Sequence, residues 1–106
     1  MADLNKTFHT GHLTRDPELR YSADGMAIAR FSIAVNGIKD GDVNFFNCTA
    51  FKRQAEVVAE YCKSGKQVLV EGSLKISSFD GDDGKKKKKT EIIVTNFQML
   101  GGKASE

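Results

Sequence analysis

The sequence predicts a small all-β barrel of five strands in Greek-key order, with one α-helix between the third and fourth strands. Three observations lead there. Apolar residues alternate with period two in several short segments, and glycines and polar turns divide those segments. Only Arg53–Lys63 carries helical spacing. A single helix cannot cover both faces of a sheet, which disfavours a layered α/β fold.

Lys6–Leu13 (KTFHTGHL) reads as the first strand, with Gly11 marking a bulge or bend. Asp16-Pro17 is a turn, and Glu18–Tyr21 a short extended piece. After the turn Ser22–Gly25, the second strand is Met26–Val35, whose Ala29, Phe31, Ile33 and Val35 share an apolar face. Asn36–Asp42 is a loop. The third strand, Val43–Lys52, has Phe46, Cys48 and Ala50 on one face and Phe45, Asn47, Thr49 and Phe51 on the other. In the helix, Ala55, Val58, Ala59 and Cys62 form one stripe, and Ser64-Gly65 is expected to close it with a left-handed cap. The fourth strand, Gln67–Phe79, should turn Val68, Val70, Leu74 and Ile76 inward. Asp80–Lys89 is expected to be a polar hairpin tip, and Thr90–Leu100 the returning fifth strand. This element order is that of the OB-fold, a partly open Greek-key barrel.

The 106 residues suit a single domain spanning positions 1–106. No stretch approaches the roughly 18 apolar residues of a membrane span, and Met1–Asn5 has no signal-peptide character, so no membrane partner and a cytoplasmic location are expected. Cys48 and Cys62 stand fourteen positions apart without a CxxC spacing, which points to buried, reduced thiols. The net charge is +2, but without the run Lys85–Lys89 it would be −3, so basicity is concentrated at one place.

Strand parity supplies the functional signal. If Phe46, Cys48 and Ala50 face the core, Phe45 and Phe51 face outward, and the fourth strand likewise turns Lys75 and Phe79 outward. Exposed rings on a small barrel need a cover, and stacked nucleobases supply one, each worth roughly 1–3 kcal/mol. Lys85, Lys86, Lys87, Lys88 and Lys89 form a phosphate-attracting finger, with Asp80, Asp82 and Asp83 as internal counter-charge. The DGDDG segment lacks the distal glutamate of a calcium loop. His9 and His12, three apart on a strand, point to opposite faces and cannot share a metal. No nucleophile–base pair, phosphate loop or paired carboxylates occur, so neither an enzyme nor a metal or other cofactor is expected.

Several segments, in order, carry a resemblance: Gly11–Tyr21 (GHLTRDPELRY), Gly25–Val35 with Ala29-Arg30-Phe31, the helix end Ala59-Glu60-Tyr61, Gly65–Gly72 (GKQVLVEG) and Gln98–Gly102 (QMLGG). Together they resemble the bacterial single-stranded DNA-binding protein family from Asn5 to Gly102. The resemblance implies an OB-fold, a homotetramer as the usual form, a nucleoid-associated cytoplasmic address, and roles in replication, recombination and repair. Phe45, Phe51 and Phe79 fall at the family's stacking aromatic positions, and Lys6, Arg53 and Lys75 at basic positions near its DNA path. Where the family has a further stacking aromatic, this chain has Ile38-Lys39, so the resemblance implies a contact there that is weaker or, through Lys39, purely electrostatic. Phe46 replaces a histidine of the family's subunit interface. The chain given stops at Glu106, without the family's acidic tail, so tail-mediated recruitment of repair and replication enzymes is not expected of it. A primosomal replication-restart protein shares the fold but does not normally keep DPELRY and QMLGG. The alternative of a different class is an OB-fold protein-interaction module whose phenylalanines are an oligomer interface. Ring stacking does not distinguish RNA from DNA.

Overall fold

The computed structural model describes residues 2–101; Gly102, which closes the QMLGG segment, and Glu106 lie outside the described residues. The chain runs β1 (Thr7–Leu13), β2 (Glu18–Tyr21), β3 (Ala27–Asn36), β4 (Val43–Phe51), α1 (Lys52–Tyr61), β5 (Gln67–Asp80) and β6 (Lys86–Met99). The five expected strands are β1, β3, β4, β5 and β6. The short extended piece is β2, paired with the first half of β3.

Closure of the sheet follows from β3. One edge pairs with β4 along the whole strand, and the other edge pairs first with β2 and then, at Ile33 and Ala34, with the end of β1. Antiparallel pairing of β1 with β5 and of β5 with β6, and parallel pairing of β6 with β4, complete the ring. Two glycines allow it. At Gly11, where β1, still paired with β5, comes alongside β3, a Cβ would lie 2.7 Å from the Ala34 carbonyl oxygen. The expected irregularity there is a close backbone approach, with the β1–β5 register continuous through Gly11. At Gly72 a Cβ would collide with the Ile93 carbonyl oxygen. There the β5–β6 register shifts, leaving Thr95 as the extra residue of a β-bulge. Thr95 donates its hydroxyl to the Glu71 carbonyl, and its own carbonyl accepts from Gln54 of α1, so the bulge is held from both sides.

The core joins Phe31 and Ile33 of β3, Cys48 and Ala50 of β4, Val68 and Val70 of β5, Ile92 and Val94 of β6, and Ala55, Val58 and Cys62 from the helical segment. Burial drives the Cys48 thiol up to about 12, with the Glu91 carboxylate adding to the shift, so it stays protonated at neutral pH. Cys62 is also shifted up by burial.

Several expectations need correction. Leu74 and Ile76 keep the parity of Val68 and Val70 but are 38% and 65% exposed, because this stretch of β5 runs toward the hairpin and lacks the cover that buries Val68 and Val70. Thr49 lies on the outer face of β4 yet is only 6% exposed, being covered by Glu91. The helix ends at Tyr61 with Cys62 as an extended cap, and Gly65 takes its φ of 89° in the separate turn Lys63–Lys66. Lys52 opens the helix at a φ of 59°, a left-handed conformation that costs a residue with a Cβ about 1–2 kcal/mol. The lysine run is largely strand: only Lys85 lies in the turn, while Lys86–Lys89 pair with Asp80–Ser77. The ladder tolerates the run because alternation sends successive ammonium groups to opposite faces.

Candidate nucleic-acid interface

Residues opposite one another in a ladder share a face, so the register maps the outer surface directly. Phe45, Asn47, Thr49 and Phe51 alternate along β4. Asn47 stands opposite Glu91 of β6, and Glu91 opposite Lys75 of β5. Along that same face Lys89 is opposite Ser77, and Lys87 opposite Phe79. Phe45, Phe51 and Phe79 therefore lie on one continuous surface together with Lys75, Lys87 and Lys89. Phe45 is 67% exposed and Phe79 48%, while Phe51 is half-buried at the start of the helix. Lys86 and Lys88 lie on the opposite face of the hairpin arm with Ile76, a separation that the undivided run in the sequence conceals.

The other expected residues are more dispersed. Arg53 follows Phe51 by two positions, is highly exposed and is loosely paired with Glu56 at 3.6 Å. Lys39 is exposed in the β3–β4 loop, and Lys85 is in the hairpin turn, its N–H donating to Asp83. Lys6 is not gathered with the rings: its ammonium pairs with Glu71 at 2.8 Å and lies 5.9 Å from the centre of the Phe8 ring. Phe46 is half-buried, packs on the core and meets the His9 ring at 4.3 Å between centroids.

Sequence reasoning missed two arginines. Arg30 of β3 stands opposite both Glu18 and Thr49, and so shares the outer face with the phenylalanines. Its alternation with Ala29 and Phe31 would have revealed the face, but not the neighbours. Arg15 lies in the β1–β2 turn, anchored where Asp16 accepts the N–H of Ser64, and no periodic signal marks it. Both line a cavity of about 580 Å³ that also takes in Glu18, Asn47, Lys89 and Glu91. Glu18 is held below the usual carboxylate range by its hydrogen bond from Arg20, with the charges of Arg20, Arg30 and Arg15 adding to the effect. Among the described residues, Arg15, Arg30 and Lys89 form no ion pair, and Glu91 is bonded only by the Thr49 hydroxyl, at 2.7 Å.

Comparison with known proteins gives concordant matches. The family described as "Single-strand binding protein family" matches residues 4–100. A "Single-stranded DNA-binding protein" of Treponema pallidum (strain Nichols) is 46% identical over 95% of this chain and 60% of its own length. A protein of the same name from Borreliella burgdorferi is 46% identical over 94% of this chain and 72% of its own. One from Oceanobacillus iheyensis is 41% identical over 97% and 67%. The chain thus spans between three fifths and three quarters of these relatives.

Proposed function

Because this chain belongs to the single-strand binding protein family, we propose that it binds single-stranded DNA largely independently of sequence and acts as one binding unit in replication, recombination and repair. The observation that carries this reading is the shared face of Phe45, Phe51 and Phe79, interleaved with Lys75, Lys87 and Lys89. Rings take up bases, and the ammonium groups beside them neutralise the phosphates that join those bases. Neither interaction requires a particular base, and neither makes or breaks a covalent bond. Titration of a labelled oligo(dT) strand, followed by fluorescence anisotropy, tests the reading. Saturable binding at low salt is expected, and its absence would leave the exposed rings as a protein-interaction surface.

Salt dependence separates the two faces of the hairpin arm. For single strands, log affinity falls with log salt at about 0.7 per phosphate neutralised. Replacing Lys87 and Lys89 by Ser should flatten that slope by up to about 1.4 per subunit. Replacing Lys86 and Lys88, which point away from Phe79, should change it much less. Equal effects of the two pairs would refute the division of the lysines by face.

Self-association belongs to the same proposal. β1 pairs with β3 only at His12 and Leu13, leaving the edge of its first half unpaired, and Phe8 beside it is exposed. An open strand edge with nearby apolar side chains favours pairing with another copy. The remaining exposed part of Phe46 is the proposed contact within that assembly. Light scattering should give a mass four times that of the 11.6 kDa chain, with a dimer as the smaller alternative. A monomer would remove this part of the reading. No helix among the described residues is long and apolar enough to cross a membrane, and the proposed place of action is the cytoplasmic nucleoid.

A further inference from the structure

We infer that Glu91 and Asn47 read the edge of a base and give the strand-binding face a preference for guanine at one nucleotide position. The inference rests on the single-strand reading above and refines it. It starts from an incongruity: on a face whose rings and lysines suit a polyanion, Glu18 is paired with Arg20, but Glu91, at the centre, has no cationic partner among the described residues. Glu91 is flanked in the ladder by Asn47 and Lys75, with Lys89 two residues before it on the same face. A negative charge there works against phosphate binding. Pairing with a neighbouring cation is not its role either, because among the described residues it forms no ion pair. It is held by Thr49, a nearly buried side chain whose hydroxyl donates to Oε2 at 2.7 Å. That bond orients the carboxylate and leaves Oε1, and a lone pair of Oε2, to accept further hydrogen bonds.

The surroundings define what the carboxylate meets. The cavity it lines, about 580 Å³, is within the range of small-ligand sites. Asp16 and Glu18 also line it, but Asp16 accepts the Ser64 N–H and Glu18 is paired with Arg20. Arg15, Arg30 and Lys89, which have no ion-pair partners among the described residues, are left to meet a phosphate. Phe45 lies two residues from Asn47 on the same face, so a base stacked on Phe45 brings its edge toward Asn47 and Glu91.

A carboxylate only accepts hydrogen bonds, and it selects bases that donate. Guanine presents two adjacent donors, N1–H and the N2 amine, which match the two oxygens of Glu91. Beside them its O6 accepts from the Asn47 amide. Cytosine and adenine each offer one exocyclic amine on that edge. Thymine offers N3–H between two carbonyl oxygens, and these repel the carboxylate. The cations hold the backbone whichever base is present, so the preference is added to general binding and does not replace it.

The test compares labelled strands at one fixed salt concentration: all-dT, and dT strands carrying isolated dG, dA or deoxyinosine at regular intervals. The dG strand should bind about fivefold more tightly than all-dT, the lower end of what a bidentate base contact contributes. Deoxyinosine, which keeps N1–H but lacks the N2 amine, should fall between them, and dA should stay below dG. In Glu91→Gln, which can still accept the Thr49 hydrogen bond, the dG-to-dA affinity ratio should fall toward one. Because the ratio is taken within each variant, overall changes in affinity cancel. Equal binding of dG and dA strands by the unaltered chain would overturn the inference and identify any purine preference as stacking. A dG preference that survives in Glu91→Gln would overturn it as well. If the wild-type dG and deoxyinosine strands bind alike, the bidentate contact is wrong even should the variant fail to fold. Failure of the all-dT strand to bind would instead sink the single-strand reading itself, and the inference with it.

Discussion

Replacing Phe45 by alanine is expected to weaken oligo(dT) binding by about 1–3 kcal/mol, or roughly fivefold to more than a hundredfold, while the melting temperature hardly moves. The ring is 67% exposed, so its removal opens no cavity and leaves no buried group unpaired. Its partner across the ladder is Ala34, which offers little on which the ring can rest. Phe79→Ala should behave in the same way, standing on the hairpin arm opposite Lys87. Phe51 differs, because it is half-buried where β4 passes into the helix. Its alanine variant should lose some stability as well as affinity. Anisotropy titration beside thermal unfolding makes the distinction. A Phe45→Ala variant that melts early but keeps full affinity per folded molecule would place the ring in the core and reverse the parity of β4.

Ile33→Ala should produce the opposite signature: a loss of about 2–5 kcal/mol of stability with unchanged affinity per folded molecule. Ile33 is fully buried on β3, opposite Phe46 of β4 and Leu13 of β1. It stands at the seam that closes the barrel, where truncation leaves a cavity that three strands cannot collapse without breaking register. For a domain with a total stability of about 5–15 kcal/mol, this is a large fraction. Urea unfolding should show a lower midpoint with the same slope. A shift smaller than about 1 kcal/mol would mean that the seam repacks freely.

The two experiments together test the division of labour within the barrel. On the proposed reading, the inner faces of β3 and β4 supply stability, and the outer face of β4 with the hairpin arm supplies binding. Alternation along a strand puts both tasks on neighbouring residues: Phe45 and Phe46 differ by one position and serve different sides.

Much of this was legible in the sequence, because alternation and turn chemistry are local. The strand order, the single helix, the inward set Ala29, Phe31, Ile33, Cys48, Val68 and Val70, and the outward placement of Phe45 and Phe79 all follow from period-two reading and glycine punctuation. Tertiary structure decided whatever depends on which strands are neighbours and where a sheet loses its cover. Leu74 and Ile76 have the pattern of core residues, yet they are exposed, since parity states which side a residue faces and not whether anything covers that side. The bulge at Thr95 inverts the parity of β6, and nothing in β6 itself announces it; its one trace is Gly72 on the partner strand. Lys85–Lys89 reads as one charged patch, but strand pairing divides Lys87 and Lys89 from Lys86 and Lys88. The meeting of Arg15, Arg30, Asn47 and Glu91 draws on four separate segments of the chain. It exists only because β4 pairs in parallel with β6 and antiparallel with β3, contacts between residues far apart in sequence that composition and periodicity do not encode.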